Sequence, residues 1–239
     1  MKYFLILISL ILVNPALGQN TKVENFSQAK RMLKRIYNKT SLEKKTVYCS
    51  CSFKGSKVDL KSCGYKGRVK KGKEQYQKRS SRVEWEHIVP ASMAIRAFAE
   101  CRLPGGKKLS RKKCEKASKA YRLVISDMHN LYPSVGSLNA HRSNYSMAEI
   151  PGEKREWGSC DFEISSRKVE PKDDVKGDIA RIYKYMDSVY PVKFISNKNK
   201  SLFDAWDKLD PVSPEECKRH ALIKQYQGNG NPFVEAGCK

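Results

Sequence analysis

Three polar clusters lie close together in the chain. They are Glu86-His87 in "SRVEWEHIVPAS", Asp127, His129 and Asn130 in "SDMHNLYPSVG", and Asn139, His141, Arg142 and Asn144 in "SLNAHRSN". One carboxylate and one amide oxygen are hard ligands, too few and too weakly charged to cage calcium tightly. They suit a Mg2+ ion that keeps several waters and accepts a phosphate oxygen. A histidine that titrates near neutrality, beside such an ion but not bound to it, can take a proton from water. Glu86, His87 and Asn139 therefore form a trio suited to phosphodiester hydrolysis, in which the ion offsets developing charge. The remaining histidines read differently. His129, between Met128 and Leu131, and His220, on a C-terminal helix, read as hydrogen-bonded structural residues, whereas His141 fits either the cleft or a surface loop.

To act together, these residues need elements that bring them to one place. "SRVEWEHIV" and "RLVISDMHNLYP" read as two strands, and Pro133 reads as the opening of a short helix whose face bears Asn139. "ENFSQAKRMLKRIYNK" and "VKGDIARIYKYMDSVY" carry apolar residues at helical spacing, so both read as amphipathic helices. A shorter helix is expected through "SLFDAWDKL". A last one has Ser213 as N-cap, Pro214 at the first position, Glu216 closing a capping box, and Gly228 as the stop. Between Thr46 and Val89, short β-favouring pieces alternate with Gly- and Lys-rich loops. Helices and strands are thus segregated along the chain, which predicts an α+β fold. Trp85, Trp157 and Trp206 are expected in the core. No repeat or low-complexity block divides the sequence.

Composition narrows the partner. The formal charge is +22, and removing Lys2 with a leader lowers it by only one. Two runs hold much of the excess, "KGRVKKGKEQYQKRSSR" and "KKLSRKKCEKASK", and they flank Glu86-His87. Such a balance favours a polyanion. Neither run has the apolar face that membrane docking uses, so no stable membrane association is expected. Residues 1–18 have a basic start, an apolar stretch and small residues at Ala16 and Gly18, the pattern of a cleaved secretory signal. The working protein is then residues 19–239, a single domain exported to the periplasm or outside the cell. Its eight cysteines form an even set for an oxidising compartment. Proximity suggests Cys51 with Cys63, Cys101 with Cys114, Cys217 with Cys238, and Cys49 with Cys160. A zinc site is disfavoured, because there is no paired C-x-x-C.

In chain order, "SRVEWEHIVPA", "SDMHNLYPSVGSLNAHRSN", "GDIARIYKYM", "LFDAWDKLDPVSPEEC" and "QGNGNPFV" resemble the bacterial endonuclease I family. The resemblance runs from about Cys49 to Cys238. It implies a mixed fold around a ββα-metal (His-metal finger) motif, disulfides, and one Mg2+ ion, with Mn2+ or Ca2+ as substitutes. It also implies largely sequence-independent endonucleolytic cleavage of double- and single-stranded DNA, with RNA as a further substrate, leaving 5′-phosphates. The family's general base falls on His87 and its metal ligands on Glu86 and Asn139. The chain departs from the family pattern in three places. The arginine expected after Gly105-Gly106 is Lys107, so the phosphate-holding cation is Lys107 or Arg111. A glutamate common in relatives two residues before Asp127 is Ile125. The usual Gly-Asp after the ligand asparagine is Ala140-His141. No heptad or apolar patch argues for an oligomer, so a monomer is expected. A cationic binding protein without catalysis, and a metal-free ribonuclease pairing His87 with His129 or His141, are the rival readings.

Overall fold

The structure, a computed structural model, describes residues 18–152 and 154–238, so the expected leader lies outside the described residues except for Gly18. The chain opens with α1 (Phe26–Lys39). Asn25 caps its first turn by accepting from the Gln28 N–H, and Ala29, Leu33, Ile36 and Tyr37 turn one stripe into the core. Two antiparallel hairpins follow, β1 (Phe53–Lys54) with β2 (Lys57–Val58) and β3 (Val69–Lys70) with β4 (Lys73–Glu74). A single helical turn, α2 (Gln77–Ser80), leads into β5 (Val83–His87). After α3 (Ala91–Ala94) come α4 (Arg111–Ala117) and α5 (Lys119–Ile125).

The chain then returns through β6 (Leu131–Val135) to lie antiparallel to β5, with Glu84 opposite Ser134, Glu86 opposite Tyr132 and His87 opposite Leu131. It passes directly into α6 (Gly136–Arg142), which packs on that pair and completes a ββα unit. Gly136 is required at this junction, because a Cβ there would lie 2.6 Å from the Arg79 carbonyl oxygen and 2.9 Å from the Glu84 carboxylate. A three-stranded sheet follows, in which β9 (Lys168–Pro171) pairs with both β7 (Ser146–Met147) and β8 (Phe162–Ser165). Four helices end the fold: α7 (Lys176–Val189), α8 (Asn197–Leu209), α9 (Pro214–Gln227) and α10 (Pro232–Glu235). The fold is α+β with a helical C-terminal part, and Trp85, Trp157 and Trp206 are all buried.

The cysteines pair as Cys49–Cys160, Cys51–Cys63, Cys101–Cys114 and Cys217–Cys238. The last three close local loops, while the first ties the strand-rich region to the segment before β8. Ser213 caps α9 through the Glu216 N–H, and Gly228 ends it in a left-handed conformation at φ 91°. The Glu216 carboxylate, however, does not complete the expected capping box. It forks onto the buried Arg181 guanidinium, at 2.9 and 2.7 Å.

Two expectations need correction. "RLVISDMHNLYP" is not one strand: its first part is α5, then comes a 3-10 turn at Met128–Asn130, and only Leu131 onward is extended. Tyr121, Val124 and Ile125 recur at helical spacing toward the core, and Ser118 caps them. Packing of that face overrides the β preference of Val124 and Ile125. Pro133 does not open the helix. It sits inside β6 opposite Trp85, and Val47 N–H donates to its carbonyl at 2.8 Å. A two-stranded pair leaves each strand an unladdered side, where a residue lacking an N–H is tolerated.

Candidate active site

His87 ends β5 and is almost wholly buried. Its Nε2 lies 2.8 Å from the Ile125 carbonyl oxygen. A carbonyl can only accept, so Nε2 carries the proton, and in the neutral ring Nδ1 holds the free lone pair. Burial, reinforced by Arg111 and Arg142, pushes the His87 pKa down to about 3. The ring is therefore neutral near pH 7, but it titrates well below the near-neutral range expected from the sequence, because burial and the neighbouring guanidiniums disfavour its cation. On one side it meets the Phe26 ring of α1, with centroids 4.7 Å apart. Lys30 and Arg111 both lie over that same phenyl ring, at 4.6 and 5.0 Å.

Strand alternation puts Glu84 and Glu86 together on the face toward α6. Glu86 Oε1 accepts from the Tyr48 hydroxyl at 2.9 Å and lies 3.3 Å from Arg142 Nε. Burial raises the Glu86 pKa, while Arg142 and Tyr48 pull it back. Arg142 itself is fully buried and donates to the carbonyls of His87 (3.0 Å) and Ile88 (2.6 Å), locking the end of α6 to the end of β5. One turn earlier on α6, Asn139 donates its Nδ2 to Glu84 Oε2 at 3.0 Å, which leaves Oδ1 as its acceptor atom. Arg79 grips the same Glu84 carboxylate through two nitrogens.

This donor set fits a hard divalent cation. Glu86 and Asn139 offer oxygen only, and Asn139 is oriented by its bond to Glu84, whose own oxygens are taken by Arg79 and Asn139. Among the described residues, no group of three His, Cys, Asp or Glu side chains forms a metal cage. An ion held by so few protein atoms would keep most of its water, as Mg2+ does.

Glu84, Glu86, His87, Asn139 and Arg111 line one cleft of about 560 Å³, whose opposite wall carries Phe26, Lys30 and Lys34 from α1. Arg111 starts α4, where the Cys101–Cys114 loop delivers it to this wall. Lys107 is exposed in that loop and is not among the cleft-lining residues. Asn144 lines the rim. His129 is far from any such role: its Nε2 meets the Asn229 carbonyl at 2.9 Å and its ring stacks on His220. His220 accepts from the Asn231 N–H. His141 is wedged between Tyr76 and Trp157, and burial lowers its pKa to about 4, so it is a neutral packing group and adds no cation. Asp127 accepts from the Tyr185 and Tyr190 hydroxyls and anchors the turn before β6.

Sequence reasoning missed Glu84, Arg79 and the α1 wall. Two signals were present. Glu84 stands two residues before Glu86, one strand period away, and Phe26, Lys30 and Lys34 are spaced four apart on the border of the apolar stripe. The Ile125 substitution also has a structural answer. The backbone carbonyl of that residue holds the His87 ring, a task that needs no side chain.

Comparison with known proteins identifies the family. Residues 25–238 match the model of the family described as Endonuclease I. An extracellular deoxyribonuclease of Aeromonas hydrophila is 36% identical, covering 97% of this chain and 96% of its own. A periplasmic deoxyribonuclease of the same organism is 35% identical over 92% of this chain and 90% of its own. Endonuclease-1 of Buchnera aphidicola subsp. Acyrthosiphon pisum is 36% identical over 90% of this chain and 82% of its own. With the family match spanning the ββα unit and the helical region alike, the chain belongs to the Endonuclease I family of nucleases.

Proposed function

We propose that this protein is an exported, Mg2+-dependent endonuclease that hydrolyses DNA with little sequence preference. One observation carries the reading. The His87 ring is held neutral by burial and pinned at Nε2, so that its Nδ1 is available as a base in a cleft lined by Glu86, Asn139 and Arg111. Nδ1 takes a proton from a water, whose oxygen attacks phosphorus. The bond from phosphorus to the 3′ oxygen breaks, and that oxygen takes a proton from solvent, giving a 3′-hydroxyl and a 5′-phosphate. Glu86 and Asn139 are the ligands, with Glu84 orienting the Asn139 amide. When bound there, Mg2+ supplies the positive charge that offsets the charge developing on the phosphate and leaving oxygens. Arg111 is the better-placed cation for holding the phosphate, and its fork suits bidentate contact as Lys107 does not.

Backbone contacts dominate such recognition, so both double- and single-stranded DNA are substrates, with RNA as a further one. Export is supported by the leader-like residues 1–18 and by the extracellular and periplasmic relatives. Among the described residues, no helix is long and apolar enough to cross a membrane. The protein is proposed to act as a monomer.

The test is nicking of supercoiled plasmid by oxidised protein, wild type beside His87→Ala, with Mg2+ and with EDTA. Nicking that requires both the ion and His87 is the expected result. Nicking that persists in EDTA would favour metal-free chemistry. Retarded but intact plasmid in every lane would leave only a cationic binder.

A further inference from the structure

Charge is unevenly neutralised across the molecule. In the C-terminal helices, Lys176, Arg181 and Lys184 each meet two or more carboxylates. Beside the cleft the pattern reverses. A hollow of about 570 Å³ shares Ser92 and Asn144 with the cleft rim and is lined by Arg96, Lys108 and Lys193, with no acidic residue in its wall. A smaller one of about 340 Å³ continues past Arg96 and Lys108 to Arg102, again without an acid. Arg96, Lys108 and Lys193 are exposed, and among the described residues none has an ion-pair partner. Met93 and Val192 form an apolar floor between them.

The groups come from separate elements that are fixed in place. Arg102 grips the Arg96 carbonyl through two guanidinium nitrogens, and Leu109 N–H donates to the Cys101 carbonyl at 2.9 Å, inside the loop closed by Cys101–Cys114. Lys193 is held by Asn197 at 2.9 Å. Unpaired cations lining adjoining hollows, on a backbone fixed by these bonds, suit a chain of phosphates more than a single anion. The apolar floor suits the sugars between them.

We infer that Arg96, Lys108 and Lys193 form a phosphate track that binds the nucleic-acid strand on one side of the scissile bond, continuous with the cleft through Ser92 and Asn144. This rests on the nuclease reading above and adds a path for the substrate. A small phosphodiester fills the cleft alone, whereas a long strand occupies both. Cleavage of the two should therefore respond differently to loss of the track.

The experiment compares wild type, Arg96→Gln/Lys108→Gln/Lys193→Gln, and a control of equal charge change, Lys54→Gln/Lys57→Gln/Lys61→Gln, whose positions are exposed and outside the cleft lining. Binding of a 30-base-pair duplex is measured in EDTA against KCl, and hydrolysis of a p-nitrophenyl phosphodiester is measured with Mg2+. The expected result is a salt slope smaller by about 2 to 3 in the track variant alone, since each lost phosphate contact removes about 0.9. Hydrolysis of the small ester should stay within twofold of wild type. An unchanged slope, or an equal loss in the control, would overturn the track. Loss of ester hydrolysis together with the slope would overturn its separation from the catalytic cleft. Failure of wild type both to hydrolyse the ester and to nick plasmid in the assay above would sink the nuclease reading instead, with the binding slopes still deciding the track.

Discussion

At the residue scale, two side chains do most to define the site, and each can be tested apart from the other. Arg142 is fully buried, neutralises Glu86 and ties α6 to β5 through two carbonyls. Replacing it by Ala leaves Glu86 as an uncompensated buried acid and frees both carbonyls, so a loss of about 3 to 5 kcal/mol is expected in urea unfolding. A loss under about 1 kcal/mol would show that the pair is not the lock described here. Arg111 acts on reactivity more than on stability. It is the second-largest cause, after burial, that holds the His87 pKa down. Removing a cation favours the protonated ring, so in Arg111→Ala the acidic limb of the pH–rate profile moves to higher pH. The rate above that limb falls by roughly 100-fold if Arg111 also holds the phosphate. A limb that stays in place would show that Arg111 does not act on His87.

At the element scale, the site is an assembly of parts that each supply one group. β5 brings the acids and the histidine, α6 the amide, α1 the aromatic and basic wall, and α4 the guanidinium. The last depends on a loop that crosses from Cys101 to Cys114 with few core contacts of its own. Closing a loop with a sequence separation of 13 is worth about 3 kcal/mol by the chain-entropy account. Cys101→Ser/Cys114→Ser should lose about that much in urea unfolding. It should also nick plasmid far more slowly under conditions where it remains folded, because Arg111 and the track lose their anchor. Full activity in the folded variant would mean that α4 docks without the bridge.

For the whole molecule, four histidines are buried or half-buried, and burial lowers the pKa of each. For His129 the folded value is about 4, against roughly 6.5 in the unfolded chain. As pH falls through that window, the unfolded state takes up a proton that the folded state refuses, so this group's contribution is lost toward acid. The cost is on the order of 1 kcal/mol per pH unit. Half-buried Asp178 and buried Glu86, whose pKa values are raised, work in the opposite direction. A difference measurement separates them: the dependence of unfolding free energy on pH between 6.5 and 4 should be shallower in His129→Gln than in wild type. Equal slopes would show that His129 titrates normally.

Much of this protein was legible in the amino-acid sequence alone. The periodicity of α1 and α7, the cap and stop of α9, the α+β class and the trio Glu86, His87 and Asn139 all rest on local spacing and chemistry, which a linear chain displays openly. Other features depend on what the chain meets after it folds. Whether Val124 and Ile125 sit in a helix or a strand was decided by the core they pack against. The carboxylate of Glu216 passed over its cap for a buried guanidinium from another helix. The choice of Arg111 for the cleft wall, the Ile125 carbonyl as the brace for His87, and the pairing of Glu84 with Asn139 join residues distant in sequence. Residue spacing encodes which chemistry is available. Only the tertiary structure sets which atoms lie within hydrogen-bond reach and which charges are buried, and those two quantities fix the tautomer and the pKa.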